Sequence, residues 1–376
     1  MKIEQLNLRN WKNFKTLDLP LQERVFIAGP NASGKSNLLD ALKFLREVAD
    51  TEGGFQRAVR ARGGVSQIRC LHARKQSNVR LSVILRTNGT RWRYLLEFKQ
   101  DNIRRPLIEK EEVYRDDKLI LQRPDTDDRA DPNRLSQTHL EQVNANRAFR
   151  EVATLLADIR YLHVVPQLIR EVDRVSVRKD DPYGSDFLEQ IAKTNKRTLQ
   201  SRLRRINSAL RVAVPQLKEL KLEPDERGIP HLLGLYEHWR PNAGWQSEEQ
   251  FSDGTLRLLG LLWAFLEGSA PLLLEEPELS LHAAVVRFIP SMMVRAARKT
   301  QRQIIISTHS IELLTDPGIA PEEVIMLEPS ADGTSAVPAS SLSDIQALLQ
   351  HGTPIGEIVM AHTAPRQAEQ LALFEE

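Results

Sequence analysis

Residues 24–48 read Arg-Val-Phe-Ile-Ala-Gly-Pro-Asn-Ala-Ser-Gly-Lys-Ser-Asn-Leu-Leu-Asp-Ala-Leu-Lys-Phe-Leu-Arg-Glu-Val, and this stretch decides the fold. Val25 to Ala28 is a short apolar run of strand type. From Lys35 onward Leu38, Leu39, Leu42, Leu45 and Val48 recur with the period of an amphipathic helix. Between them stands GxxxxGKS: Gly29, Pro30, Asn31, Ala32, Ser33, Gly34, Lys35 and Ser36. A glycine-rich turn from strand to helix presents backbone N–H groups at the positive end of the helix dipole, where they can surround phosphate oxygens. Lys35 would reach the β- and γ-phosphates and the Ser36 hydroxyl would ligate Mg²⁺. Asn37, in the first helical turn, is counted with them. ATP and Mg²⁺ are therefore the expected ligands.

Hydrolysis needs carboxylates as well. Leu272-Leu273-Leu274-Glu275-Glu276 supplies a pair at the end of a buried strand. Glu275 is expected to hold the metal through water and Glu276 to polarise the attacking water. The plainer alternative is an acidic strand exit opening the loop Pro277-Glu278. Downstream, Ile304-Ile305-Ile306-Ser307-Thr308-His309-Ser310 places His309 just past the carboxyl end of another apolar strand, where ligands sit in open α/β sheets. There it can donate to a γ-phosphate; a lone loop histidine is the competing reading. Phe251-Ser252-Asp253-Gly254-Thr255 precedes a helix, and Ser252 or Asp253 can act as its cap. The same helix start could offer amides and Ser252 to a phosphate, but only one held by a second copy of the chain.

Around these motifs the chain divides into three parts. Residues 1–167 carry the phosphate loop and, over 79–122, runs VRLSVILR, RWRYLLEFK and EKEEVYR that predict an antiparallel sheet, with Asn88-Gly89 as a hairpin turn. Residues 123–136 read as a polar surface loop. A helix is expected over 137–157 and a strand over 159–165. Residues 168–250 read as an insert with a charged linker, a long amphipathic helix over 186–212 and strands near 217–222 and 231–238. Residues 251–376 alternate helix and strand (helices 255–267 and 281–299; strands 272–274, 303–307 and 323–327), the pattern of a parallel α/β core.

Taken in order, GPNASGKS, FSDGT, LLLEEPELSLH and STHS resemble the ABC-type ATPases of the RecF/SMC branch, within it the compact bacterial AAA-family ATPases near the OLD-type ATPases. The opening LNLRNWKNFKTLDLPL is similar to that family too. The likeness covers residues 1–50 and about 250–315 well. It implies an ABC-type P-loop ATPase head, an α/β fold, here with an added antiparallel β subdomain and a helical insert in place of a coiled coil. It also implies a homodimer or higher homo-oligomer that sandwiches two ATPs. Ser252 and Gly254 would then contact the γ-phosphate in trans, with Glu278–His282 at the interface. The family has a glutamine after a central strand that senses metal and water; Gln167 is the match, Gln137 its rival, an ordinary surface residue the alternative. Asp253 stands where ABC signatures have glycine, and Glu275 where they have aspartate.

Composition narrows the partners. The chain of 376 residues has 52 Lys+Arg against 50 Asp+Glu, a net charge of +2, so any contact with DNA must be a local patch. Arg197, Arg202, Arg204, Arg205 and Arg211 share one helix; a solvated face is the simpler reading. Cys70 alone excludes an intramolecular disulfide and fits a reducing, cytoplasmic setting. The longest apolar run, Leu258 to Leu266, is too short for a membrane span. OLD-type relatives often carry a C-terminal Toprim nuclease, whose acidic pattern residues 310–376 lack, so the resemblance implies that any nuclease or toxin effector is a separate chain. The resemblance implies a role in prokaryotic anti-phage defence; RecF-like DNA repair, a transporter subunit and a nucleotide-gated scaffold are the alternatives.

Overall fold

In the computed structural model, which describes residues 2–73, 76–170, 181–240 and 244–364, the chain opens with the hairpin β1 (Lys2–Trp11) and β2 (Phe14–Pro20). β3 (Arg24–Ala28) then leads through the glycine-rich loop into α1 (Lys35–Val48). After α2 (Gly54–Arg60) and α3 (Val65–Ile68) come β4 (Val79–Thr87), β5 (Thr90–Gln100), β6 (Pro106–Arg115) and β7 (Lys118–Arg123). α4 (Thr126–Ala130) and α5 (Arg150–Ala157) precede β8 (Arg160–Leu162) and α6 (Pro166–Arg170). The insert contains α7 (Phe187–Ala192), α8 (Lys196–Ala213), β9 (Leu217–Pro224), β10 (Pro230–Tyr236) and β11 (Trp245–Ser247). The final part runs α9 (Asp253–Leu266), β12 (Leu272–Glu275), α10 (Ala283–Val286), α11 (Ile289–Thr300), β13 (Ile304–Thr308) and α12 (Ile311–Leu314). It ends in β14 (Val324–Ser330), β15 (Gly333–Pro338), α13 (Ser343–Gln350) and α14 (Ile355–Thr363).

The central sheet has the order β15-β14-β3-β13-β12-β8, parallel except for β15 at one edge. Its strands are continuous apolar runs because both faces are covered. Val25, Ile27, Leu273, Ile305 and Ile325 face α1 and the antiparallel sheet beyond it. Phe26, Leu272, Leu274, Ile304, Ile306 and Met326 face the opposite layer, built from α9, α11, α12 and α14. The antiparallel sheet, β2-β1-β4-β5-β6-β7, has one wet face, so β5 alternates: Trp92, Tyr94, Leu96 and Phe98 are buried while Arg93 is exposed. Its β4–β5 turn is Asn88-Gly89, both at positive φ (48° and 81°), as a tight hairpin requires. Phe44 of α1 packs between Trp11 and Phe98, with ring centroids 5.2 and 5.6 Å away, tying the helix to this sheet.

A third core joins the insert to α9. Leu203, Ile206 and Leu210 of α8 and Leu217, Leu220 and Leu232 of the small sheet β11-β10-β9 pack on Leu256, Leu259 and Trp263. Enclosed by two cores, α9 is buried from Thr255 to Phe265. Arg302 closes its far end, its Nη1 donating to the carbonyls of Ala264 and Glu267 at 2.5 Å each. Burial lowers the Arg302 guanidinium to about 10.

Four expectations need correction. The helix over 137–157 begins only at Arg150, preceded by a short 3-10 turn over Asn146–Phe149. Upstream of it the Glu141 carboxylate accepts from the amides of Thr138 and Phe55 (both 2.7 Å) and holds a turn instead. The single helix over 186–212 is two, because Asn195 caps α8 by accepting from the Arg197 amide at 3.0 Å. The helix over 281–299 is also two. Pro290 in the first turn of α11 lacks the N–H that would continue α10, so the chain restarts there. Residues 123–136 are no surface loop: α4 lies there, and Arg123 and Asp128 are buried. The charged linker opening the insert falls largely on residues 171–180, outside the described residues. Among the described residues no helix is long and apolar enough to cross a membrane.

Candidate nucleotide-binding site

The loop from Gly29 to Gly34 leaves the carboxyl end of β3 and turns tightly into α1. Gly34, at φ +101°, is the residue before the helix, and a Cβ there would lie 2.1 Å from Asn13 Nδ2. A Cβ on Gly29 would lie 2.7 Å from Ser33 Oγ and 2.9 Å from Leu327 Cβ. Ala32 takes the left-handed conformation at φ +61°, which a side chain tolerates poorly. Asn13, in the β1–β2 turn, braces the loop: its Nδ2 donates to Ser33 O and to Thr334 Oγ1, both at 2.7 Å. Asn37 donates to Asn13 Oδ1 at 2.8 Å, so its side chain serves the brace.

Several donors of this loop have no side-chain partner. No side chain caps the N-terminus of α1, whose first amides have no partner inside the helix. The buried Ser33 Oγ has no hydrogen-bond partner. Lys35 Nζ folds back onto the carbonyls of Gly29 (2.8 Å) and Pro30 (3.2 Å). Burial lowers the pKa of its ammonium against the pull of Glu276, Glu278 and Glu275. Free amides, an orphaned hydroxyl and a cation held only by carbonyls fit a phosphate chain.

Because β12 lies parallel to β13, and β13 to β3, the carboxylates emerge at the same end of the sheet as the loop. Glu275 accepts hydrogen bonds from Ser36 Oγ and from the hydroxyl of Tyr161 on β8. Its carbonyl lies 3.2 Å from His163 Nδ1. Burial raises the Glu275 carboxyl, the Ser36 hydrogen bond opposes the shift, and the charge of Glu276 adds to it. Glu276 is in the left-handed region (φ +42°), its N–H held by Ser307 O at 3.0 Å and its Oε1 3.3 Å from His309 Nδ1. Strain of this kind at a non-glycine residue persists only where the surroundings enforce it. Glu278 is buried; its Oε1 accepts from Thr308 Oγ1 (2.6 Å) and from the His309 amide (3.2 Å), and burial raises its carboxyl. Among the described residues no group of three or more His, Cys, Asp or Glu could hold a metal alone. Ser36 and Glu275 instead offer two adjacent oxygen donors, the partial set with which Mg²⁺ is usually held beside substrate phosphates.

The FSDGT segment forms a second cluster. Ser252 caps α9, accepting from the Thr255 amide at 3.2 Å. Gly254 approaches the loop after β12 so closely that a Cβ would lie 2.7 Å from Ser280 O. Gln167 Nε2 donates to Asp253 Oδ2 at 3.3 Å and Arg170 to Asp253 Oδ1 at 2.6 Å, so Gln167 is brought to this segment. Gln137 lies far along the antiparallel side, its carbonyl accepting from Arg123 at 2.8 Å. Among the described residues no hydrogen bond joins Ser252 or Gly254 to residues 29–37. Thus Lys35, Ser36, Glu275, Glu276 and His309 converge, while Gln167, Ser252 and Gly254 form a neighbouring group. Sequence reasoning missed Tyr161, His163 and Asn13. Asn13 lay inside the quoted opening segment, whereas the pairing of β8 with β12 has no local signal.

The fold is that of an ABC-type P-loop ATPase head, of the SMC-head kind. Over residues 24–315 the chain matches the family described as "AAA domain, putative AbiEii toxin, Type IV TA system", and it belongs to that family. No curated protein sequence matches it. Among solved structures it is similar to an SMC head bound to the C-terminal winged-helix domain of ScpA. That match has a TM-score of 0.57 and 15% identity, and covers 90% of this chain and 97% of that one. It is also similar to the SMC head with an extended coiled coil bound to the C-terminal domain of ScpA from Pyrococcus furiosus. There the TM-score is 0.55 and identity 14%, covering 94% of this chain and 100% of that one.

Proposed function

We propose that this chain binds ATP with Mg²⁺, hydrolyses it, and uses the cycle to join and release two copies of itself. One observation carries the reading: Lys35, Ser36, Glu275, Glu276 and His309 meet at the carboxyl end of one parallel sheet. Gly29–Asn37 would hold the phosphates, with Lys35 turning from the carbonyls of Gly29 and Pro30 to the β- and γ-oxygens. Ser36 and Glu275 would hold Mg²⁺, which when bound neutralises charge developing on the transferred phosphoryl. Glu276 would accept a proton from the attacking water, its carboxylate aligned by His309. Ser252 and Gly254 would meet the γ-phosphate of the second copy, and Gln167 would report on the metal through Asp253. Residues 168–250 would stand where SMC proteins carry a coiled coil.

A separate nuclease or toxin chain is the effector we propose, in anti-phage defence. DNA is a second proposed partner, favoured by α8: Arg197, Arg204, Arg205 and Arg211 are exposed on a helix without acidic residues. The deciding experiment is light scattering of Glu276→Gln protein with and without ATP–Mg²⁺, beside Lys35→Ala. Growth of the assembly with ATP, absent in Lys35→Ala, is expected. A monomer under every condition would remove the dimer and with it the role given to Ser252.

A further inference from the structure

The loop after β12 and the helix α9 each bury a charge that the proposed catalytic steps leave unused. Arg257, one turn into α9, is 8% exposed, and neither its Nε nor its Nη1 has a hydrogen-bond partner. Glu278 is 6% exposed; its Oε1 is engaged by Thr308 and the His309 amide, but its Oε2 has no partner. Among the described residues Glu278 Oε2 is the one carboxylate oxygen left buried and unpartnered, and Arg257 the one guanidinium with two such nitrogens. Unpartnered buried charges are expensive, and opposite ones in the same neighbourhood have an evident way to relieve each other.

Other partners for Arg257 are taken. Asp253, on the same face one turn earlier, is held by Arg170 at 2.6 Å and Gln167 at 3.3 Å. Glu276 faces His309, and Glu275 is held by Ser36 and Tyr161. Arg257 borders a small cavity walled by Leu162, Val164, Leu261, Leu274, Glu275 and Pro277, the residue before Glu278. The two elements already touch at Gly254 and Ser280, where the absent Cβ permits the approach. Burial lowers the Arg257 guanidinium, against the negative charges of Asp253, then Glu278, then Glu276.

We propose that Arg257 and Glu278 form a latent ion pair. It stands open in this structure and closes when nucleotide re-seats the Arg257 and Glu278 side chains across the contact that α9 already makes with the loop after β12. Closed, it links the segment holding Ser252 and Gly254 through Glu278 to Thr308 and His309. The arrival of a phosphate at one would then be felt at the other. Both are positioning residues, and the inference rests on the ATP-binding reading above.

The test measures melting temperature and affinity for a fluorescent ATP analogue with Mg²⁺ in wild type, Arg257→Met, Glu278→Gln and the double variant. Without nucleotide, Arg257→Met should melt no lower than wild type, because a buried unpaired charge has been removed. With nucleotide, each single variant should lose about tenfold in affinity and the double variant no more than either. Glu278→Gln keeps an acceptor for Thr308 and His309, so it tests the pair even if Arg257→Met does not fold. Additive losses, or full affinity in both single variants, overturn the inference. So does an Arg257→Met protein that melts well below wild type without nucleotide, since the arginine would then be structural. A wild-type chain that binds no nucleotide removes the ATP reading and this inference together, whereas binding unaffected by either substitution removes this inference alone.

Discussion

Two buried arginines show how differently the molecule treats charge in its two halves. Arg123, in the antiparallel sheet, is enclosed on every side. It donates to both oxygens of Asp128 at 2.8 Å, to Glu111 at 3.1 Å, and to the carbonyls of Gln137 and Arg134 at 2.8 and 3.0 Å. Glu111 is filled in turn by the amides of His139 and Leu140 and the hydroxyl of Tyr94. Arg257, beside the carboxylates of the candidate site, has two N–H groups that reach nothing. Near Arg257 the carboxylate oxygen Glu278 Oε2 is orphaned as well, whereas the orphans of the antiparallel sheet, Thr87 Oγ1 and Trp92 Nε1, are uncharged. A network with every member satisfied holds one conformation. A cluster of unsatisfied groups belongs to a site that something enters or that has a second arrangement. The sheet uses buried charge for shape, and the site holds it in reserve.

That contrast predicts opposite phenotypes. Glu276→Gln should lower phosphate release by a factor of about 10²–10⁴, the usual contribution of a positioned general base, with the melting temperature little changed. Arg123→Met should do the reverse. It strands the buried carboxylates Glu111 and Asp128, and urea unfolding should show a loss of about 3–5 kcal/mol while turnover per folded molecule persists. If Glu276→Gln melts as far below wild type as Arg123→Met, the distinction between reserve and shape is wrong.

The third prediction is a matter of pH. The Arg123 guanidinium and its hydrogen bonds hold the Asp128 carboxyl down to about 2, below its ordinary 3.8. A carboxylate depressed in the folded state stabilises it above the unfolded pKa and loses that contribution as pH falls through the folded one. The stability gap between wild type and Asp128→Asn should therefore be about 2 kcal/mol near neutrality and shrink as pH falls from about 4 toward about 2. Glu111, whose carboxyl burial raises, titrates with the opposite sign in both proteins, so their difference isolates Asp128. A gap independent of pH would mean that Asp128 acts by packing alone.

Much of this architecture is legible locally. The loop Gly29–Ser36, the strand ending in Glu275 and Glu276, and the Asn88-Gly89 hairpin all announce themselves through spacing and turn chemistry. What escaped was set by distant partners. The segment 123–136 is polar and proline-bearing, yet Arg123 and Asp128 are buried because they meet each other and Glu111, 12 residues upstream of Arg123. Helix ends at Asn195 and Pro290 were marked in the sequence, but continuous amphipathic periodicity hid them. In the site, Tyr161 and His163 became visible only once β8 was seen to lie beside β12, which no window of sequence around either strand records.

The smallest effect separates two roles at one residue. Ser252 caps α9, and its loss to alanine should lower stability by about 1 kcal/mol whatever else it does. The proposed contact with the second copy's γ-phosphate asks more of the same hydroxyl. Ser252→Asn keeps a capping oxygen but replaces the hydroxyl with a bulkier amide, so it should restore stability while failing to restore ATP-dependent assembly in the Glu276→Gln background. If Ser252→Asn recovers both, the hydroxyl is only a cap, and the segment then acts through backbone amides at Gly254. The close approach of Gly254 to Ser280 would make it the residue to change next, since a Cβ there would push α9 away from the loop that carries Glu276 and Glu278.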